Sequence, residues 1–357
     1  MAKYHPLFHK FKSVVGYSIA IVVIVAALAV SGIRFLLTTA NLYQDEVEQL
    51  ASSLLEQPVK IGSMDAKLSG LVPTLIFRNV NLLSEKTNRT LFSLSRIDVG
   101  ISIKDLLWEQ KIIPLQLTIR GMNLHLTRTV EGSFIVKGVD LEALGKSEKN
   151  ESNSLLERWL SQQGEIALED SSFTWKDEQN AGLTWFFEDV NFLLKSTGKR
   201  HQFLLSSKLP NKLGNDLKLA VDLAGDISVP KTWNVKAFIN SKNINLKPLR
   251  KYMKNSKFEL VGGIADLNLW VDWENENLNK LSGDVKLYDF SYITNKKKAV
   301  DVKYVSGLFD SYRDENNLWN ISVDKFNYGS KKIIDESRFS LAFKYSNKII
   351  ETFYIKA

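Results

Sequence analysis

The sequence predicts a mainly β protein that begins with one membrane-spanning helix, and three observations carry that expectation. An uncharged apolar run fills Val14 to Ile33. After Pro58 the apolar residues recur with a period of two, in segment after segment, almost to the last residue. Few stretches keep the helical period, too few to cover the faces that so many strands present.

The N-terminal run extends over residues 13–37, from Val14 through Ile24 at its middle to Leu37. About twenty residues at the helical rise span a hydrocarbon core of roughly 30 Å, so a transmembrane helix is expected. Lys3, Lys10 and Lys12 precede it, while Asp45, Glu46 and Glu48 follow. Short basic flanks stay cytoplasmic, which leaves residues 1–12 as a cytoplasmic tail and puts the remainder across the membrane. Arg34, near the far end, can snorkel its guanidinium to the headgroups. A cleaved signal peptide ending at Thr38-Thr39-Ala40 is the rival reading, but the apolar stretch exceeds the roughly 7–15 residues of a signal core.

Composition excludes several function classes. Lys and Arg number 47 against 40 acids, a formal charge of +7, but the two signs are interspersed, so no basic block suited to nucleic acid stands out. Lys296-Lys297-Lys298 falls between strand-like segments and reads as a hairpin turn. There are no cysteines, hence no disulfides, and a large fold must supply the stability. Four histidines, two of them in the tail, make a zinc or copper site improbable. No nucleophile elbow or phosphate-binding glycine loop occurs, and Gly262-Gly263 lies between strand segments. Carboxylate pairs such as Asp272 with Glu274 sit at strand ends and turns. No catalytic residue, metal or cofactor is expected, and the chain does not read as an enzyme.

Along the chain, Leu42, Val47, Leu50, Ala51, Leu54 and Leu55 recur at helical spacing among acids and glutamines, ending before Pro58. This amphipathic helix is expected to cap the start of a sheet, because an acidic polar face does not seek anionic lipid. Strands follow, with Ile97, Val99, Ile101 and Ile103 alternating with polar residues, then Leu115, Leu117 and Ile119. At Gly121 the phase flips to Met122, Leu124 and Leu126, the signature of a bulge or tight bend. His125 then falls on a polar strand face, and Glu131-Gly132 reads as a turn. Residues 139–163 are a linker and a short helix carrying Leu155, Leu156, Trp159 and Leu160. Before it lies a membrane-proximal module, residues 38–138; after it a second section, residues 164–357, is almost wholly strands.

The apolar members of those strands include Leu217, Leu219, Val221 and Leu223, then Trp233, Val235, Ala237 and Ile239, then Ala265, Leu267, Leu269 and Val271. The signal is long, antiparallel and one-sided. Periodicity alone leaves three ways to cover such faces: a sandwich, a closed barrel, or a curled trough whose lining is satisfied by lipid chains. The pattern is still running at Phe353 and Ile355, as expected of an N-terminal piece of something longer.

The order of features resembles the AsmA-like superfamily of Gram-negative bacteria. The similar phrases are Leu54-Leu55-Glu56-Gln57-Pro58-Val59-Lys60-Ile61-Gly62, Leu75-Ile76-Phe77-Arg78-Asn79-Val80-Asn81-Leu82 and Leu117-Thr118-Ile119-Arg120-Gly121. Ile166-Ala167-Leu168-Glu169-Asp170, Phe187-Glu188-Asp189-Val190-Asn191-Phe192 and Ala265-Asp266-Leu267-Asn268-Leu269-Trp270 narrow the resemblance to the YhdP-type branch. Gln57 and Lys60 depart from the glycine and arginine common there. The resemblance implies a single-pass protein of the Gram-negative inner membrane, its N-terminus cytoplasmic and its bulk periplasmic. It implies a long antiparallel sheet curled into a hydrophobic, taco-shaped groove that helps move phospholipid toward the outer membrane and maintain its permeability barrier. Leu117, Ile119, Leu219, Val221, Val235, Leu267 and Leu269 are then the expected groove lining. The partners expected are inner-membrane phospholipids and other envelope proteins, not nucleic acid. The alternative is an envelope scaffold or outer-membrane assembly factor that binds protein partners.

Overall fold

The computed structural model describes residues 40–55, 57–70, 72–84, 88–105, 114–136, 139–140, 163–179, 183–226, 229–251, 254–255, 258–294, 298–315, 317–329, 338–346 and 349–356. The expected membrane span, with Val14, Ile24 and Leu37, and the short helix at Leu155 to Leu160 lie outside the described residues. Among the described residues no helix is long and apolar enough to cross a membrane. The chain divides into two compact units, Met1–Arg89 with Arg96–Leu115, and Thr90–Ser95 with Gln116–Ala357.

In the first unit a 3-10 turn, Ala40–Tyr43, leads into α1, Gln44–Leu55. Strands β1, Val59–Ser69, and β2, Val72–Leu83, pair antiparallel around Gly70. Val59, Ile61, Met64, Ile76, Phe77 and Val80 are buried there. α1 does cap the sheet, but not as an apolar stripe on a core. Its polar residues Gln44, Glu48 and Ser52, one helical turn apart, meet the free edge of β1. The Ser52 hydroxyl accepts from the Val59 amide at 2.8 Å, the Glu48 carboxylate accepts from the Ile61 amide at 2.7 Å, and Gln44 donates to the Ile61 carbonyl at 2.7 Å. An unpaired strand edge is thereby closed by side chains. Glu48 is buried while Leu42 and Leu50 stand 72% and 60% exposed, the reverse of the polarity expected.

β3, Thr90–Ile101, runs from the second unit into the first. The second unit continues with β4 Pro114–Arg120, β5 Asn123–Arg128, β6 Phe134–Val136, β7 Val139–Asp140, β8 Gln163–Asp177 and β9 Leu183–Thr197. Next come β10 Arg200–Lys208, β11 Asp216–Ala224, β12 Asn234–Asn245, β13 Lys254–Asn255, β14 Phe258–Glu274 and β15 Asn277–Thr294. The last are β16 Ala299–Arg313, β17 Leu318–Tyr328, β18 Phe339–Ser346 and β19 Ile349–Lys356. From β8 to β12 each strand pairs antiparallel with the next; β12 then pairs with β14, and the order runs on to β19.

The sheet is not wholly antiparallel as expected. β4 and β5 form one interrupted strand that pairs parallel with β8, Leu117 opposite Ile166 and Leu124 opposite Phe173. A parallel neighbour needs a long crossover, and the residues from 129 to 162 provide it. Residues 116–128 therefore belong with the second unit. The interruption is at Gly121, whose φ of +65° lets the phase flip. A Cβ there would lie 2.4 Å from the Ser95 Oγ.

Similar interruptions recur where the sequence gives no glycine. Asp170, Asp189, Asn243, Asp289 and Lys325 all have φ between 46° and 53° inside strands. Pairing registers slip beside them, as between Leu168 and Ser171 or between Ser241 and Ile244. One extra residue would turn every later side chain to the wrong face; a bulge absorbs it and restores the phase. Asn and Asp tolerate this left-handed backbone better than most residues.

The sheet is open. Among the described residues β19 does not pair back to β8, and the sheet neither closes nor curls strongly. The closed barrel left open by periodicity and the deeply curled groove implied by resemblance are both corrected on this point. A sandwich is also disfavoured, because Leu219, Val221, Ile239, Leu267 and Leu269 are only half-buried, whereas a facing sheet would bury that row.

Candidate functional site

Directly paired residues share a face, so the registers convert a sequence pattern into surfaces. One row crosses the second unit as Ile119, Leu168, Phe192, Leu205, Leu219, Ile239, Leu269, Gly283, Phe309, Val323 and Phe339. The adjacent row on the same face is Leu117, Ile166, Leu194, Phe203, Val221, Ala237, Val271, Leu281, Ser311, Ile321 and Leu341. At about 4.8 Å per strand these rows extend on the order of 50 Å. Val235 and Leu267 lie in further rows of the same surface, opposite Leu223 and Val285. All seven residues expected to line a groove thus lie on one face of one sheet.

The polar residues on that face do not break its apolar character. Ser241 and Ser311 donate to the carbonyls of Asp216 and Leu281, each at 2.6 Å, and Ser207 donates to the Glu188 carbonyl at 3.1 Å. His201, 1% exposed, is hydrogen-bonded through Nδ1 to the Ser196 Oγ at 2.9 Å. Each turns its polarity into the sheet, where a backbone or side-chain partner satisfies it. Gly283 plays a steric part: a Cβ there would come within 2.7 Å of Leu269 Cδ2 and 2.8 Å of Phe309 Cε1, so its hydrogen lets these large neighbours share the row.

The opposite face is mostly charged. Arg200 and Asp222 pair across β10 and β11, and Lys280 reaches Asp310 at 2.8 Å. The guanidinium beside Asp222 holds that carboxyl below its usual range, and hydrogen bonding to Asp310 raises Lys280 above the ordinary ammonium value. Lys208 is raised likewise by Asp189. Such partly exposed pairs order the surface without contributing much stability.

One row of this outer face is apolar, and the sequence reading passed over it. Ala167, Leu193, Leu204, Ala220, Phe238 and Trp270 are paired in register across β8 to β14. Leu204 and Trp270 are half-exposed, and the Phe238 and Trp270 rings lie 5.1 Å apart. A cavity of 670 Å³ opens there, lined by Leu193, Leu204, Ala220 and Phe238 with Glu165 and Lys218 at its rim. The signal was present: Phe192-Leu193-Leu194, Phe203-Leu204-Leu205, Leu219-Ala220-Val221, Ala237-Phe238-Ile239 and Leu269-Trp270-Val271 are apolar triplets whose middle residue must point the other way. Of the remaining tryptophans, Trp185 is buried and Trp273 is 39% exposed. Half-buried His125 pairs with Thr174 on the outer side of β5, and its Nδ1 has no partner. Among the described residues no cluster of His, Cys, Asp or Glu could hold a metal.

Fold and surfaces together define a long, mostly antiparallel sheet with one largely apolar face. The family follows from comparison: the sequence model of the YhdP protein family matches residues 1–355, and the chain belongs to that family. Family membership makes it a protein of the bacterial envelope. No curated protein and no solved structure matches the chain.

Proposed function

We propose that the chain is a membrane-anchored lipid-transfer protein, held in the inner membrane by residues 13–37 and carrying phospholipid acyl chains along the apolar face of its sheet. The observation that carries this reading is the pair of largely apolar rows from Ile119 to Phe339 and from Leu117 to Leu341, mostly half-buried and without a second layer among the described residues. Apolar surface on this scale needs a cover, and acyl chains supply one while headgroups stay in water. Each methylene moved from water gains roughly 0.8 kcal/mol. Transfer from bilayer to the face replaces one apolar contact by another, so an acyl chain avoids much of the cost it would meet in water.

The test is photocrosslinking in cells with a probe at Leu219 and a control at Lys280 on the charged outer face. Phospholipid adducts at 219 and none at 280 support the reading. Adducts at neither position, with the protein folded, would replace it with a scaffold. That second reading, an envelope scaffold or assembly factor, is favoured by the exposed outer row at Leu204 and Trp270, and it predicts protein adducts there.

A further inference from the structure

The helix α1 shows one surface that neither the edge-capping contacts nor the lipid face uses. Its polar residues Gln44, Glu48 and Ser52 are turned inward onto β1. Tyr43 and Leu50 are left 60% exposed, and Leu42 is exposed still further. Tyr43, Val47 and Leu50, spaced by four and three residues, form one strip along the helix. Exposed apolar residues arranged this way mark a contact surface.

The chain preceding the turn identifies what covers it. Four residues, five steps of chain, separate Leu37, the end of the apolar run, from Leu42. They reach about 8 Å as a helix and at most about 18 Å extended. The polar interfacial layer of a bilayer is itself roughly 5–8 Å deep on each side. If residues 13–37 span the bilayer, Leu42 and Tyr43 cannot leave its vicinity. We infer that α1 lies in the membrane interface, with Tyr43, Val47 and Leu50 turned to the headgroup-proximal part of the acyl chains and the edge of β1 held directly above the headgroups. The inference rests on the membrane anchoring in the proposed function.

The acids do not oppose this. Glu48, which would stand nearest the helix middle, is neutralised by Lys60 at 2.8 Å and held by the Ile61 amide. Asp45 lies off the strip, and Glu46, four residues before Leu50, stands at its edge; both are exposed, where their carboxylates stay in headgroup water. Tyrosine is a residue that bilayers place at this depth. A tethered helix also meets the membrane at high local concentration, so weak intrinsic affinity suffices. Contact made by apolar burial with a zwitterionic bilayer, with no basic residue on the helix, depends little on salt.

The test uses the full chain in phosphatidylcholine vesicles, and the absence of native cysteine makes single-site spin labels clean. Labels at Tyr43→Cys and Leu50→Cys should collide with oxygen several-fold more than with a water-soluble nickel chelate; labels at Asp45→Cys and Gln49→Cys should show the opposite preference. These ratios should hold when the salt is raised tenfold. A label at Ile24→Cys reports the anchor separately. Nickel access at 24 would refute the anchoring itself. Burial at 24 with nickel access at 43 and 50 would overturn the inference alone, leaving the strip to a protein partner.

Discussion

Removing the Glu48 carboxylate should detach α1 from the edge of β1 and expose the first strand of the fold. Glu48 accepts from the Ile61 amide at 2.7 Å and from Lys60 at 2.8 Å. The two bonds differ in value. Lys60 has a side chain 67% exposed, so its solvent-screened ion pair adds little. The Ile61 amide is buried, and a bond from a buried amide to a charged acceptor is worth roughly 1.5–3 kcal/mol. Alanine is a better helix former by a few tenths, about 0.4 kcal/mol, which offsets a little of the loss. Glu48→Ala should therefore cost about 2 kcal/mol locally, a roughly thirty-fold faster hydrogen exchange at residues 59–61. Glu48→Gln keeps an acceptor oxygen and should cost less than about 1 kcal/mol.

The same contact sets a pH dependence. Burial opposes the charged form of Glu48, but the hydrogen bonds from Lys60 and Ile61 and the lysine charge outweigh it, so its pKa lies below the ordinary glutamate value. A carboxyl depressed in the folded state contributes stability that is fully present above the unfolded value and lost as pH falls through the lowered one. Exchange protection of β1 should fall in that acid window in the native protein and change less in Glu48→Gln. Unchanged exchange in Glu48→Ala, or equal damage from Gln and Ala, would refute the edge-capping argument.

Three further substitutions probe the sheet. Gly283→Ala places a Cβ 2.6 Å from the Asn268 carbonyl, which cannot swing away; overpacking of roughly 1–3 kcal/mol, less up to about 1 kcal/mol of backbone entropy, predicts a net loss near 1–2 kcal/mol in urea unfolding. Asp289, at φ 46°, should accept glycine almost neutrally but lose about 1–2 kcal/mol on conversion to valine, read by the same denaturation midpoint. Ser241→Ala removes the 2.6 Å bond to the Asp216 carbonyl and should cost about 1 kcal/mol, with faster exchange confined to the β11 and β12 pairing.

Several features were legible in the chain because they depend on local pattern. Leu219 and Val221, or Leu267 and Leu269, declare a common face by alternation, and the registers align those faces across neighbouring strands. Gly121 announced its bend because only glycine makes a positive φ unremarkable. Asp170, Asp189 and Asp289 did not, since an acidic residue in a strand reads as an outward side chain and not as a backbone device. The polarity of α1 was misread for a related reason: helical spacing says which residues share a face, but not that a strand edge rich in amides would select the polar one. The outer row at Leu193, Leu204 and Phe238 was hidden because an apolar triplet looks like a stronger strand, and only pairing reveals that the middle residues coincide. The parallel partnership of β4 and β5 with β8 depends on a connection whose path no local pattern encodes. Curvature, likewise, is a sum of small twists and bulges and has no residue of its own.

Phospholipid retained by the purified full chain is the most direct measure of whether the apolar face carries lipid. It should be quantified by mass spectrometry for the native protein, for Leu219→Asp with Leu269→Asp on that face, and for Leu204→Asp on the outer row. The account predicts that the native protein and Leu204→Asp retain phospholipid, and that the paired substitution, still folded, loses most of it. Retention by the paired variant with loss from Leu204→Asp would move the lipid to the outer row and contradict the central claim.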